Sequence, residues 1–288
     1  MLKRSYRPNH SANRMRYEGD IERARRYFLE RASPNLRLLL KRRYDWMNHF
    51  IEPTHVGLEV GCGTGLSKQF IRAEKYYLSD VSDYDWLDFK HVDALATPFG
   101  DSSFDFVVCS NMIHHVAQPL VFFREMNRIL RLNGVLIIQE INASLAMRCV
   151  LRLMRHEGYS YVPDVFDESV ICNDPADPWS ANCAIPNLLF DDVKRFERQV
   201  PDFEIVHRGF SEFTCMLNSG GVIAKTMHVP LPAWMVNMLY GLDAALTRLL
   251  PRVFALQRQV VLEKVDRMVL PCAPPRGRAI PTSQSKAT

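Results

Sequence analysis

The stretch Val56-Gly57-Leu58-Glu59-Val60-Gly61-Cys62-Gly63-Thr64-Gly65 constrains the fold more than any other part of the chain. An apolar, strand-like run ends in three glycines at alternate positions, and a helix-like run from Leu66 to Ala73 follows. Glycines at a strand-to-helix turn let the backbone take positive φ and approach a ligand closely. The spacing is G-x-G-x-G, not the G-x-G-x-x-G of dinucleotide sites. Nineteen residues after Gly61, the apolar run Tyr76-Tyr77-Leu78 leads to Asp80. That is where an open α/β sheet places an acid on a ribose hydroxyl. A tight turn with no ligand needs the same glycines, so the acid at this distance is what favours a site.

The 288 residues suit one α/β domain with additions, and 47% hydrophobic residues suffice for a full core. No run of eighteen uncharged apolar residues occurs, so no membrane-crossing helix is expected. The N-terminus is basic but lacks the apolar segment of a secretory signal. Seven cysteines without a C-x-x-C pair argue against a disulfide framework or zinc ribbon. A reducing, cytoplasmic setting is therefore expected, with peripheral attachment to the inner face of a membrane as a variant. The net charge of +4 hides an asymmetry: residues 1–43 carry a balance of +9 and the remainder −5. A basic end can meet an anionic membrane or nucleic acid, or form a solvated, arginine-rich helix pair.

Residues 1–16 are expected to be a disordered basic arm, followed by a helical cap over 17–52. Its first helix spans about Glu18 to Arg31. Ser33-Pro34 then reads as an N-cap with Pro in the first turn of a second helix. Leu36, Leu39, Leu40, Tyr44, Met47 and Phe50 follow at helical spacing, and Pro53 closes it. The central region, 53–145, alternates strands with helices. Strands are expected at 56–60, 76–80, about 90–93, 104–109 and 135–141. Helices are expected at 65–73, 83–88 and 118–130, and a turn at Asn133-Gly134. The unbroken apolar run into Cys109 suits a strand buried on both faces. Such alternation predicts a parallel sheet. Beyond it, helices are expected from Asn142 to about Glu157 and from Asn187 to Gln199. A strand is expected at 203–213. Residues 158–186 show no period, as in a lid or loop, and 146–217 is read as an extended acceptor region. An apolar helical insertion occupies 218–252, a last strand lies within 253–270, and 271–288 reads as a disordered tail.

At this point the residues match a family. Glu59-Val60-Gly61-Cys62-Gly63-Thr64-Gly65 resembles motif I of the class I S-adenosylmethionine-dependent methyltransferases, and Asp80 resembles their acid after the second strand. His91-Val92-Asp93-Ala94, Pro98-Phe99 and Asp101-Ser102-Ser103-Phe104-Asp105-Phe106-Val107-Val108 resemble the stretch around the adenine pocket and fourth strand. Leu130-Arg131-Leu132-Asn133-Gly134-Val135 resembles the turn into the fifth strand, with Asn133 in place of the usual Pro. Asn tolerates the left-handed backbone conformation almost as Gly does. The match covers roughly residues 50–145. Within the family it is similar to the small-molecule branch, the type-11 and ubiquinone-methyltransferase-like enzymes. The resemblance implies a Rossmann-like fold: a seven-stranded, mostly parallel sheet, its last strand antiparallel, with helices on both faces.

The implied co-substrate is S-adenosyl-L-methionine. The backbone of Gly61, Cys62, Gly63 and Gly65 would meet its amino-acid part. Glu59 would hold the ammonium, directly or through water. Asp80, with Val81 beside it, would accept from the ribose hydroxyls. Asp93 and Ala94 would meet the adenine; a loop cap is the other reading for Asp93. Ser110 and Asn111 would line the place where the methyl is presented. His114 and His115, on the carboxyl edge of the sheet, and Glu140, at the end of a strand, are candidate catalytic groups. No spacing compels a metal, and none is expected. Two absences narrow the acceptor. No [DN]-P-P-[FYW] follows the fourth strand, and no Pro precedes Cys109. The expected reaction is O- or C-methylation of a small-molecule, lipid or glycan acceptor, with residues 173–182 a candidate grip for a polar one. An RNA methyltransferase or a non-catalytic cofactor-binding scaffold are the alternatives. The basic residues 1–43 and the apolar run 233–250 raise a peripheral membrane contact; packing on the core, a lid and a dimer contact are the other readings of 233–250.

Overall fold

The computed structural model describes residues 4–8, 21–155, 157–177, 180–221 and 226–266. Most of the arm 1–16 and all of the tail 271–288 lie outside the described residues. No helix among the described residues is long and apolar enough to cross a membrane.

The strands are β1 Ser5–Tyr6, β2 Val56–Glu59, β3 Lys75–Leu78, β4 Phe104–Ser110, β5 Leu130–Ile141, β6 Tyr159–Ser160, β7 Phe203–Ser211 and β8 Gln257–Lys264. The helices are α1 Ile21–Arg31, α2 Pro34–Asp45, α3 Pro119–Ile129, α4 Leu145–Met154, α5 Ile185–Phe190, α6 Val193–Gln199, α7 Thr214–Leu217, α8 Ala233–Leu249 and α9 Pro251–Phe254. Six strands form one sheet in the order β3-β2-β4-β5-β8-β7. β3, β2, β4 and β5 run parallel, and β8 enters antiparallel between β5 and β7. The last strand of the chain is thus the antiparallel one. β1 and β6 form a separate two-stranded ladder.

The strands build a core on each face of the sheet. In β4, Val107 joins the cluster formed with α3, α5 and α6, while Phe106 and Val108 join Leu36, Leu39 and Leu40 of α2 on the opposite face. All three of these β4 side chains are fully buried, which explains the uninterrupted apolar run. The N-terminal helices therefore cover one sheet face. Ser33 begins α2 as its sequence implies: its Oγ accepts from the Leu36 N–H at 3.1 Å, with Pro34 in the first turn.

Six expectations differ from the structure, the first being the single helix over 187–199, which is split into α5 and α6 by Asp191 and Asp192. The segment after the glycine turn is a 3-10 turn at Leu66–Gln69, not a helix to residue 73. Asn48 intervenes there: its side chain accepts from the Arg72 N–H at 2.8 Å and donates to the Phe70 carbonyl at 3.0 Å. Residues 83–88 form no helix, and 90–93 no strand. This segment runs beside β3 through a single bridge, Ser79 to Phe89, and His91 at φ 55° turns it away. The sheet consequently has six strands among the described residues, not seven. Finally, the turn expected at Asn133-Gly134 lies inside β5, which pairs from Leu130 through a bulge, with Asn133 at φ 63°.

Candidate active site

The glycine turn sits at the carboxyl end of β2. Gly61, Gly63 and Gly65 all take left-handed backbone angles, φ 63°, 48° and 58°. A Cβ at Gly61 would lie 2.4 Å from Met112, and one at Gly65 would lie 2.7 Å from Leu78. A Cβ at Gly63 would meet nothing within 4 Å. Two glycines are therefore packed against protein, and the middle one borders open space. The turn is held by Cys62 N–H to the Ser79 carbonyl at 3.1 Å and Gly65 N–H to the Cys62 carbonyl at 2.9 Å.

Asp80 is buried beside this turn. Its two oxygens accept from the N–H groups of Gly63 at 2.9 Å and Ser82 at 3.0 Å. The acid is thereby locked to the middle glycine. Val81, next to it, is exposed. Glu59 lies beneath the turn, accepting from Tyr76 Oη at 3.0 Å and from Ser67 Oγ. Burial pushes its carboxyl up to about 7, outweighing those two donors. Asp93 is exposed and accepts from the Leu95 N–H at 2.8 Å, closing its own loop. Ala94 packs partly buried against the core.

Asn111 stands at φ 52° just past β4, its N–H donating to the Gln139 carbonyl at 2.7 Å. A chain of side-chain bonds leads away from it. Gln257 donates to Asn111 at 3.0 Å, Gln139 to Gln257 at 3.2 Å, and Trp46 Nε1 to Gln139 at 3.1 Å. Ser110 lies beside the Tyr44 hydroxyl.

The structure brings His114 and Glu140 together. His114 Nδ1 lies 2.8 Å from Glu140 Oε2, both groups are buried, and Glu140 also accepts from the Ile113 N–H at 2.6 Å. Burial pulls the His114 imidazole down, but the Glu140 and Glu157 carboxylates override it and hold it at about 10. Burial and the neighbouring His114 push His115 down to about 4. Within 173–182, Asn173 and Asn182 face inward to hold the backbone at His114 and Ser160, while Pro178 and Trp179 lie outside the described residues.

Sequence reasoning missed two groups over the turn. Arg25 of α1 donates to the Thr64 carbonyl at 2.6 Å and lies 4.8 Å over the Trp86 ring. Trp86 Nε1 donates to the Gly63 carbonyl at 3.0 Å and stacks on Tyr84. No motif links residues 25 and 86 to the glycines; only the fold joins them.

Residues 58–138, from β2 to β5, match the family described as a methyltransferase domain. A methyltransferase domain thus occupies the central part of this chain. No curated protein sequence matches it. Solved structures similar to this chain include a SAM-dependent methyltransferase from Archaeoglobus fulgidus, at 16% identity and TM-score 0.48, covering 83% of this chain and 97% of that one. A SAM-dependent methyltransferase from Methanosarcina mazei aligns at 16% identity and TM-score 0.43, covering 77% and 98%. The YcgJ protein from Bacillus subtilis aligns at 13% and 0.40, covering 80% and 97%.

The residues around the glycine turn fit S-adenosylmethionine. The open side of Gly63 would admit its amino-acid part, and the adjacent Asp80 retains lone pairs for ribose hydroxyls. Bound there, the cofactor supplies an activated methyl on sulfur. Arg25 and Trp86 hold the turn from above, and a turn fixed in this way would orient the cofactor.

Proposed function

We propose that the methyl passes, at oxygen or carbon, to a small, partly apolar or lipid-like acceptor that enters between α2, β7 and α8. A cavity of about 500 Å³ lies there, lined by Leu39, Trp46, Phe210 and Tyr240 and by the charged side chains of Arg42, Arg43, Arg72, Asp45, Glu212 and Asp243. Its volume suits a small ligand, with Trp46, Phe210 and Tyr240 for an apolar part and the charged groups for a polar end. The observation that carries the reading is the Tyr240 hydroxyl, which is buried in this lining and has no hydrogen-bond partner among the described residues. A buried donor without a partner is costly, and an acceptor's polar group would satisfy it once the Tyr240 side chain turns toward the cavity. Trp46 connects the cavity to Asn111 through the chain of amides.

The outward face of α8 supports a lipid-like acceptor and a peripheral contact with an anionic membrane. Trp234, Met238, Leu242 and Leu249 are exposed on it. An exposed apolar stripe on a helix is what buries in a membrane interface.

The test is to incubate the protein with methyl-labelled S-adenosylmethionine and lipids, polar metabolites or RNA. Label in lipid or small-molecule fractions is expected, and Trp46→Ala should raise the KM for the acceptor. Label confined to RNA, or no transfer at all, overturns the reading. Co-sedimentation with phosphatidylglycerol vesicles, reduced by Trp234→Ser with Leu242→Ser, is the expected membrane result.

A further inference from the structure

Three potential metal-ligating side chains from separate segments converge below the end of β4. His114 lies in the 3-10 turn Ile113–His115, Glu157 between α4 and β6, and Cys183 just before α5. His114 Nε2 is 3.7 Å from Glu157 Oε2, and Cys183 Sγ is 3.2 Å from the same oxygen. One donor atom of each lies within 4.8 Å of the others. Tetrahedral zinc with N, O and S ligands at 2.0–2.3 Å places its ligand atoms roughly 3.3–3.6 Å apart. The observed separations already approach that arrangement.

The surroundings orient the donors. His114 Nδ1 faces the Glu140 carboxylate at 2.8 Å, so Nδ1 carries the hydrogen and Nε2 is the atom turned to Glu157. A carboxylate behind a histidine in this way is the usual outer shell of a metal-binding imidazole. His115 repeats the pattern: Nδ1 lies 3.2 Å from the Ser180 carbonyl, and Nε2 faces the other Glu157 oxygen at 3.9 Å. In the neutral tautomer, each Nε2 lone pair would confront a carboxylate, which is repulsive unless a cation or proton stands between. The backbone pins the three segments independently, through Asn182 N–H to the His114 carbonyl at 2.8 Å and Cys183 N–H to the Gly158 carbonyl at 2.9 Å.

We propose that His114, Glu157 and Cys183 bind a divalent transition-metal ion of the zinc class, leaving one coordination position for water or another ligand. Imidazole, carboxylate and thiolate together suit zinc, and three protein ligands are the count found in sites that keep a position open. Met112, two residues before His114, packs against Gly61, so the ion would couple the glycine turn to the segments at 157 and 183. Chain segments held in this way would be stiffened by the ion. The proposal is independent of which acceptor is methylated.

The test is titration of the metal-stripped, full-length protein with Co2+, followed by displacement with Zn2+. One equivalent is expected to bind with a near-ultraviolet thiolate-to-cobalt band. Cys183→Ser should abolish that band, whereas Cys149→Ser, which alters an exposed cysteine, should retain it. Glu157→Gln should weaken Co2+ binding by at least about tenfold, since even outer-shell changes cost about 10–100-fold. Circular dichroism checks that each variant is folded. A wild-type protein without the band, or a band that survives in Cys183→Ser, overturns the proposal and leaves a proton between His114 and Glu157. If Cys183→Ser fails to fold, unchanged affinity in Glu157→Gln overturns it equally.

Discussion

Arg25 of α1 clasps the Thr64 carbonyl at 2.6 Å, across 39 residues of sequence, and so ties the N-terminal helix to the glycine turn. The same guanidinium lies over Trp86, which itself holds Gly63. Removing the contact should loosen the turn rather than the fold. A hydrogen bond from a charged donor contributes about 1.5–3 kcal/mol. Arg25→Ala should therefore weaken S-adenosylhomocysteine binding by about tenfold, measured by titration calorimetry, with little change in Tm.

Two glycines near each other should respond oppositely to alanine. A Cβ on Gly57 would overlap the Phe106 ring at 2.0 Å, inside a close-packed core. Gly57→Ala should cost about 3 kcal/mol or more, seen as a large fall in Tm. A Cβ on Gly63 meets nothing, so Gly63→Ala should lose only about 1–2 kcal/mol to backbone strain at φ 48°. Its deficit should appear in cofactor affinity instead, by tenfold or more. Equal Tm losses in the two variants would contradict this division of roles.

This division also shows what was legible in the sequence. The glycines, Asp80, β4 and the Ser33-Pro34 helix start could be read because local rules and tertiary packing agree there. Where they disagree, packing wins. Leu66 to Ala73 has a helical pattern, yet Asn48 takes the Phe70 and Arg72 backbone groups that a helix would use. His114 and Glu140 could be listed as candidates, but their 2.8 Å contact depends on the register of β4 against β5. Glu157 stands at the end of an expected helix and Cys183 in a segment without period; the bridge Gly158–Asn182 sets them side by side, and the Asn182 N–H to the His114 carbonyl brings in His114.

Glu59 makes stability depend on pH. Its folded carboxyl is raised to about 7 from an ordinary 4.5, chiefly by burial. An acid raised on folding favours the native state most when neutral, so its contribution is complete below pH 4.5 and is lost as pH rises through 7. The shift corresponds to about 3 kcal/mol. Glu59→Gln keeps an acceptor for Ser67 and Tyr76 without ionising. Chemical denaturation should show the wild type weakening relative to Glu59→Gln by up to that amount between pH 5 and pH 8. Parallel pH profiles would mean that the carboxylate is stabilised in the fold.

The helix α8 inverts the usual relation between hydrophobicity and burial. Asp243 is buried, whereas Leu242 beside it is half exposed. The reason lies in α7: Asp243 accepts from the N–H groups of Phe213, Thr214 and Cys215, each at 3.0 Å, and from the Thr214 hydroxyl at 2.6 Å. One carboxylate thus satisfies the start of a helix on a different segment. From sequence alone, Asp243→Leu looks like completion of an apolar stripe. It should instead strand those donors and cost about 3 kcal/mol or more, since each buried unsatisfied group carries a penalty of about 1–3 kcal/mol. Leu242→Ser, which looks like damage to the same stripe, should change stability by less than about 0.5 kcal/mol. Urea denaturation of the two variants should rank them in that order, with Asp243→Asn between them because it keeps one acceptor oxygen.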